Sequence, residues 1–235
     1  MKYLQKLLGI LAVLPAILAI LITAFQIGAY SDFSFYEKEY IKYQVTEDLH
    51  MELADVMDVT DQMMDYLIGR KEELSVITTI DGQKQDFFNE QDRLHMADVK
   101  NLFLGGLRVR TWCLAITVLC VVLLWITKAD WKQILMKSWL AGLAIYILAA
   151  VVIGIAAVQD FTAVFTKFHE IFFTNDLWLF DPTTDYMIRM LPEGFFADMV
   201  IRIGSIFLGA LTVVTGVCLW VGFRKKEEEI SIINK

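Results

Sequence analysis

The chain has 235 residues, of which 57% are hydrophobic and 21% charged, with 28 acidic against 21 basic side chains and a formal net charge of -7. The charges cluster in a few segments and leave long stretches without any, which excludes a water-soluble single domain, a disordered chain and a collagen-like chain. The acidic balance and the lack of a basic patch argue against nucleic acid as a partner.

Four uncharged stretches are each long enough to cross a bilayer core of about 30 Å, which needs about 20 apolar residues. They are residues 7–29, 111–127, 138–158 and 203–223. The first stretch exceeds the usual apolar length of a cleaved signal peptide, about 7–15 residues, so a retained anchor is favoured over a signal peptide. Pro15 predicts a kink in it. Cys113, Cys120 and Cys218 all lie in these stretches, where they act as apolar fillers and form neither a disulfide framework nor a zinc site.

The positive-inside rule predicts that both termini are cytoplasmic. The basic residues that carry this prediction are Lys2, Lys6, Lys128, Lys132, Lys137, Arg224, Lys225 and Lys226. The predicted order is a first transmembrane helix, an extracytoplasmic segment, a second transmembrane helix, a cytoplasmic loop, a third transmembrane helix, an aromatic-rich extracytoplasmic segment, a fourth transmembrane helix and a cytoplasmic tail. Their bounds are 1–29, 30–109, 110–127, 128–137, 138–158, 159–200, 201–223 and 224–235.

The first extracytoplasmic segment has three recognisable patterns. Residues 46–70 have apolar side chains at helical spacing and predict one amphipathic helix ending near Gly69. Residues 76–80 and 83–88 predict two short strands joined by a type I′ turn at Asp81-Gly82. Asn89 or Asp92 then caps a helix that is predicted to stop at Gly105-Gly106.

The second extracytoplasmic segment is dense in aromatic residues, which is typical of side chains at the depth of the lipid headgroups. Asp181-Pro182 and Pro192-Glu193-Gly194 predict chain breaks. Between these breaks, residues 184–191 predict a short helix on the membrane surface.

The spans contain no charged side chain, which counts against a pump, a coupled transporter and a voltage sensor. All three histidines, His50, His95 and His169, lie in the predicted extracytoplasmic segments. His50 lies among acidic residues and is interpreted as a solvated side chain. His95 shares a helix face with Asp98, a carboxylate suited to fixing the imidazole tautomer. His169, in apolar surroundings, is either a buried structural donor or a working base.

The sequence lacks the usual patterns of residues for other kinds of catalysis. The histidine and cysteine spacing of a zinc site is missing, and there is no Gly-x-Ser-x-Gly sequence for a serine nucleophile. Acid–base chemistry by two histidines remains, and it suits a substrate that brings its own nucleophile.

Three stretches together resemble the lipoprotein intramolecular transacylases of low-GC Gram-positive bacteria. They are residues 95–102 (HMADVKNL), 168–178 (FHEIFFTNDLW) and 190–196 (MLPEGFF). The resemblance implies a mainly α, polytopic membrane protein with four transmembrane helices and a small, mostly helical extracytoplasmic cap, to which the residue pattern adds a short β-hairpin. It implies a multi-pass protein of the bacterial plasma membrane with its active site at the outer face.

The resemblance also implies an activity. Such enzymes move the sn-2 acyl chain of a diacylated lipoprotein from the glycerol oxygen to the α-amino group of the N-terminal cysteine, which gives the lyso-form. The partners are then the lipoprotein substrate and membrane lipids, without a cofactor or a metal. The catalytic residues implied are His95 and His169, with the assignment of base and acid left open. Candidates for orienting a histidine or binding substrate are Asp98, Lys100, Arg108, Asn175 and Asp176.

Two alternatives remain at this point. The first is a non-enzymatic extracytoplasmic sensor or accessory membrane protein that binds a partner through the acidic helix at 46–70. The second is an acyltransferase or hydrolase that acts on another membrane lipid. The oligomeric state and the choice of lipoprotein are not assigned by the sequence.

Overall fold

A computed structural model describes the backbone of residues 2–233 and the side chains of residues 2–221. In this part of the chain there are nine helices and two strands. They are α1 (Lys2–Tyr30), α2 (Ser34–Lys42), α3 (Val45–Leu49), α4 (Leu53–Leu67), β1 (Ile77–Ile80), β2 (Gln83–Asp86), α5 (Glu90–Ile126), α6 (Trp131–Gln159), α7 (Phe161–Phe172), α8 (Tyr186–Met190) and α9 (Glu193–Ile233). The predicted tail residues Arg224, Lys225 and Lys226 lie outside the residues with described side chains.

Four of these helices, α1, α5, α6 and α9, are long and apolar enough to cross a membrane. Large apolar side chains cover their surfaces, as with Trp112, which is 71% exposed, and Val158, which is 90% exposed. A water-soluble protein rarely exposes apolar surface on this scale, whereas in a bilayer such side chains contact lipid. The predicted class is confirmed: a mainly α, membrane-integral protein with four apolar helices and a short β-hairpin.

The described chain forms two compact units. The apolar unit comprises Met1–Phe25, Leu107–Ile155 and Ile203–Lys235, and the polar unit comprises Gln26–Gly106 and Ala156–Arg202. In the apolar unit, Ile17, Trp139 and Phe207 belong to a buried cluster. The Trp139 Nε1–H donates to Thr215 Oγ1 over 2.8 Å, which joins α6 to α9 by a hydrogen bond between side chains.

α1 continues through Pro15. Pro15 has no N–H to donate to the Leu11 carbonyl one turn earlier, and hydroxyl groups of neighbouring helices bond two other carbonyls of the same turn. The hydroxyls of Thr117 and Tyr146 donate to the carbonyl oxygens of Ala12 and Leu14, over 2.9 and 3.1 Å. The neighbourhood of Pro15 is thus tied to α5 and α6 by polar contacts.

In the polar unit, the predicted hairpin is confirmed. β1 and β2 pair antiparallel from Ile77↔Asp86 to Ile80↔Gln83. Asp81 and Gly82 have φ values of 52° and 74°, as a type I′ turn requires at both central positions. The second strand ends at Asp86 and not at residue 88, and there the Asp86 carboxylate accepts the backbone N–H groups of Val76 and Phe88.

The prediction of one helix over residues 46–70 is wrong. The structure has two helices, α3 and α4, separated at His50, whose φ of 51° is left-handed. The apolar spacing continues across the break because both helices bury their apolar faces in the same unit, so spacing alone did not reveal the interruption. The predicted end is close to the observed one, since Gly69 follows α4 with a φ of 79°.

The predicted stop at Gly105-Gly106 is also wrong, because α5 runs through both glycines to Ile126. Each glycine in a helix interior costs about 1 kcal/mol relative to alanine, a cost that the long apolar helix around them tolerates. The predicted break at Pro192-Glu193-Gly194 is found at its start, because α8 ends at Met190 and α9 begins at Glu193. A short helix does lie within residues 184–191, namely α8, whereas α2 and α7 were not predicted.

Candidate active site

His95 lies in the second turn of α5, in the polar part that precedes the uncharged residues 111–126. The start of the helix is fixed by a reciprocal cap: the Asp92 N–H donates to Asn89 Oδ1, and the Asn89 N–H donates to Asp92 Oδ2, each over 2.9 Å. Such a capping box satisfies two backbone donors at once. His95 is buried, and its Nδ1 has no hydrogen-bond partner among the described residues.

His169 lies in the last turn of α7. The Asp160 side chain caps this helix by accepting the Ala163 N–H over 2.9 Å. The His169 Nδ1 lies 2.8 Å from the Phe165 carbonyl oxygen one turn earlier. Because a carbonyl can only accept, Nδ1 carries the proton, and in the neutral ring Nε2 is left with its lone pair.

The two imidazoles, far apart in the sequence, face each other in the polar unit. Their ring centroids are 6.1 Å apart, with 27° between the ring planes. Aromatic rings enclose both imidazoles. The ring centroids of Phe173 and Phe180 lie 5.1 and 5.3 Å from that of His95, and those of Phe165 and Trp178 lie 4.3 and 5.0 Å from that of His169. We name these four rings, Phe165, Phe173, Trp178 and Phe180, the aromatic box.

Burial in this box controls the charge of both rings. Burial, and to a smaller extent the neighbouring His169 ring, lower the pKa of His95 to about 4 against the opposing negative charge of Asp98. Burial also lowers the pKa of His169, against the opposing effect of its hydrogen bond to Phe165. Because charged rings are disfavoured away from water, both histidines are neutral at pH 7.

The other predicted site residues differ in how they relate to the pair. Asp98 accepts a hydrogen bond from Asn175 Nδ2 over 2.9 Å, and none from His95 is found among the described residues, so its effect on His95 is one of charge. Asp98 and Asn175 instead join α5 to the segment that follows α7. The backbone oxygen of Asp176, an exposed residue, accepts the Leu179 N–H over 3.1 Å.

Lys100, Arg108 and His50 are not brought to the pair by any described contact. The Lys100 Nζ donates to the Lys71 carbonyl over 2.9 Å and lies 3.9 Å from the centre of the Tyr66 ring, so its charge is engaged elsewhere. Arg108 is exposed and belongs to the apolar unit. His50 is exposed at the end of α3, as expected of a solvated side chain.

Sequence reasoning missed two groups of residues around the site. The first is the aromatic box, whose members were visible only as part of a general excess of aromatics. The second is polar: the Gln91 and Asn89 amides bind the segment after α7 to the start of α5, through the Leu177 and Leu179 carbonyls and through Asp185. Asn89 and Asp92 were predicted only as helix caps. Burial and the nearby Asp185 charge raise the pKa of Asp92 to about 6. Among residues 2–221, no group of three or more His, Cys, Asp or Glu side chains is arranged to hold a metal ion.

Comparison with known proteins gave a family and a set of similar structures. The sequence model of the family described as "Lipoprotein intramolecular transacylase Lit" matches residues 10–196. A structure of the membrane-integral lipoprotein intramolecular transacylase Lit from Bacillus cereus has 20% sequence identity to this chain and a TM-score of 0.78, and it covers 97% of this chain and 100% of its own.

Two variants of that Bacillus cereus protein, with one histidine changed to arginine or to alanine, match with TM-scores of 0.74 each. Their identities are 19% and 20%, and they cover 97% and 96% of this chain and 96% and 97% of their own, respectively. At such identities the likeness establishes the fold. A comparison with curated proteins found no match.

Proposed function

This chain belongs to the family of lipoprotein intramolecular transacylases, and we propose that it moves the sn-2 acyl chain of a diacylated lipoprotein from the glycerol oxygen to the α-amino group of the N-terminal cysteine. The observation that carries this proposal is the pair of buried, neutral imidazoles in an aromatic box. Proton transfer without a protein nucleophile suits a substrate that holds both the ester and the attacking amine.

The substrate itself holds the two reacting groups close together. Donor ester and acceptor amine are parts of one molecule, so the reaction is intramolecular, and a well-aligned intramolecular attack avoids several kcal/mol of entropic cost, roughly 7–11 at best. The protein must then hold the aligned conformer, move protons and stabilise the developing oxyanion. The aromatic box offers apolar contact for the acyl chain next to both imidazoles.

His169 is the proposed proton carrier. Its Nδ1–H is held by the Phe165 carbonyl, so its Nε2 lone pair is available as a general base. In the tetrahedral intermediate the attacking nitrogen is positively charged and strongly acidic, so a base of lowered pKa is sufficient to take its proton. The faces of Phe165 and Trp178 next to the ring favour the transient imidazolium through cation–π attraction.

His95 is proposed to donate a hydrogen bond to the oxyanion. Its Nδ1 is buried without a partner, which leaves Nε2 as the ring atom for contact with substrate. A pKa of about 4 keeps this ring neutral, and a neutral imidazole donates Nε2–H to a carbonyl oxygen without giving up its proton.

The protons balance in this scheme. The amine nitrogen attacks the ester carbonyl, and the C–O bond to glycerol breaks after the amide C–N bond has formed. His169 takes the proton from the nitrogen and returns it to the departing glyceryl oxygen, as one histidine does in both halves of serine-protease catalysis. The products are an N-acyl cysteine and a free glycerol hydroxyl, with no net proton consumed.

We further propose that segments 30–109 and 159–200 lie outside the cell and that both termini, the loop 128–137 and the tail 224–235 lie in the cytoplasm. The excess of lysine and arginine in the short loop and at the ends supports this orientation. Both histidines then lie on the side of the membrane where a lipoprotein is anchored in the outer leaflet.

The test is mass spectrometry of the N-terminal lipopeptide of one abundant lipoprotein, from a host that makes only diacylated lipoprotein and expresses this chain. An acyl chain that moves from glycerol to the amine without a change of mass, as seen in fragment ions, supports the proposal. His95→Ala and His169→Ala should each abolish the shift, whereas His50→Ala should leave it intact. An unchanged diacylglyceryl cysteine, with the wild-type chain well inserted, would contradict the proposal and favour another lipid acceptor or a binding role.

A further inference from the structure

The segment between α7 and α8 is fastened along the first turns of α5. We name residues 175–185 the strap. At one end, Asn175 Nδ2 donates to Asp98 over 2.9 Å. At the other end, Asn89 Nδ2 donates to Asp185, whose carboxylate also accepts the Asp181 N–H over 2.8 Å. As residue numbers rise along the strap, those of its partners on α5 fall, so the strap runs antiparallel to this part of α5.

Among the residues with described side chains, Gln91 is the one on α5 that holds the middle of the strap by hydrogen bonds. Its Nε2 donates to two backbone carbonyls, those of Leu177 over 3.1 Å and Leu179 over 3.0 Å. These two residues flank Trp178 in the sequence. One amide group therefore fixes the backbone on both sides of the tryptophan.

Two aromatic residues of the strap, which lie between its two end ties, contact the histidines. The Trp178 ring lies 5.0 Å from His169, and the Phe180 ring lies 5.3 Å from His95. Gln91, His95 and Asp98 are spaced four and three residues apart, so they share one face of α5. The helix face that carries His95 thus also holds the wall that packs against both imidazoles.

We propose that Gln91 is a positioning residue of this site: through the strap it holds Trp178 against His169 and Phe180 against His95, and so keeps the two imidazoles aligned. This inference rests on the proposed function. The Gln91 bond to Leu179 is exposed and the bond to Leu177 is partly buried. Neither carbonyl is therefore sealed from water when the amide is removed, and the loss falls on alignment more than on folding.

The first test compares two substitutions of similar shape. Gln91→Met keeps the length of the side chain and removes its N–H donors, and Gln91→Lys keeps donors for the two carbonyls. We expect Gln91→Met to lower kcat about tenfold with little change in KM, the size of effect that one or two neutral hydrogen bonds account for. Gln91→Lys should recover most of the lost rate, and Gln133→Met, at a glutamine in the apolar unit, should have no effect.

The second test reports on the strap without using activity. The protein has six tryptophans, and after incorporation of fluorotryptophan the Trp178 resonance in the fluorine NMR spectrum is assigned by its absence in Trp178→Phe. We expect this resonance to move as His169 is protonated, and to lose that response in Gln91→Met but not in Gln91→Lys.

The outcomes separate this inference from the proposed function. Wild-type kcat together with a wild-type Trp178 response in Gln91→Met would overturn the role of Gln91 and leave the transacylase proposal standing. The role of Gln91 would also be overturned if Gln91→Met lowered kcat but kept the wild-type Trp178 response, or if Gln91→Lys did not recover the lost rate. If the wild-type chain shows no acyl transfer, the proposed function fails and the inferred alignment for catalysis fails with it, whatever the resonance shows of the strap itself.

Discussion

At the scale of single residues, burial decides what the two histidines can do. An imidazole in water has a pKa of about 6.5 and is partly charged near neutral pH. In the aromatic box both rings have a lowered pKa, so both are neutral at the start of the proposed reaction. One is then free to accept a proton and the other to donate a hydrogen bond.

The charge state of the rings can be observed directly. In protein labelled with nitrogen-15 histidine, we expect the His95 and His169 signals to be those of neutral rings at pH 6.5, with His95 protonated only near pH 4. Protonation favours the unfolded state, where the pKa values are ordinary, so the free energy of unfolding should fall as the pH drops from 6.5 towards 4. Signals assigned by single His→Gln variants test this, and a titration of either ring at or above pH 6.5 would rule the neutral pair out.

Asparagine at position 169 separates the structural role of His169 from its chemical role. In His169→Asn the side-chain amide nitrogen takes the place of Nδ1 and can still donate to the Phe165 carbonyl, but no base remains. We expect a thermal midpoint close to that of the wild type and a loss in kcat of about 10²–10⁴-fold, the usual contribution of a general base. A thermal midpoint well below the wild-type value, or substantial residual transfer, would contradict this division of roles.

The sequence offered both histidines as candidates for acid–base chemistry, and the resemblance to the transacylases implied that they are the catalytic pair. It did not predict the tautomer of His169, which depends on a carbonyl one helical turn earlier. Nor did it predict Gln91, since a glutamine on a polar helix has no distinguishing pattern until the strap lies against it.

At the scale of elements, local rules succeeded where side chains and backbone interact within a few residues. The hairpin turn at Asp81-Gly82 and the cap at Asn89 depend on contacts of this range, and both are found. The continuous helix α5 and the break at His50 depend on packing over longer distances. For this reason the sequence pattern wrongly predicted a helix end at Gly105-Gly106 and did not predict the break between α3 and α4.

Glycines in α5 and α6 should respond in opposite ways to alanine. A Cβ at Gly105 or Gly106 would meet no atom within 4 Å, so each Gly→Ala change should stabilise the helix by up to about 1 kcal/mol. A Cβ at Gly142 would lie 2.9 Å from Val13 Cγ1, and crowding of this kind costs roughly 1–3 kcal/mol. Thermal unfolding in detergent should therefore show a higher midpoint for Gly105→Ala and Gly106→Ala and a lower one for Gly142→Ala. A lower midpoint for the first two would indicate that α5 breaks at these glycines.

At the scale of the whole molecule, the distribution of apolar and charged residues makes this chain a membrane protein. Four apolar helices account for its exposed hydrophobic surface. Their number could be predicted because a span needs a long uncharged run, a property of the sequence alone. The arrangement of the polar segments could not, since it depends on contacts such as those of the strap.

The proposed orientation can be tested by labelling single cysteines. The cysteines Cys113, Cys120 and Cys218 all lie in the apolar helices, so their joint change to alanine should leave the enzyme active and provide a background. In intact cells an impermeant maleimide should then label Asp176→Cys but not Lys132→Cys, and both after permeabilisation. The reverse pattern would invert the proposed topology, and a well-inserted but inactive cysteine-free protein would indicate a thiol in the reaction.

The placement of the two histidines also bears on how the enzyme is made. His95 precedes the uncharged part of α5 and His169 follows α6, so a growing chain contains the complete pair only after both of these helices have been synthesised. A chain whose synthesis stops before α7 carries one imidazole and lacks the proposed proton carrier. On the proposed mechanism, fragments that end before α7 have no acyl-transfer activity, and activity begins only after His169 has been added to the chain.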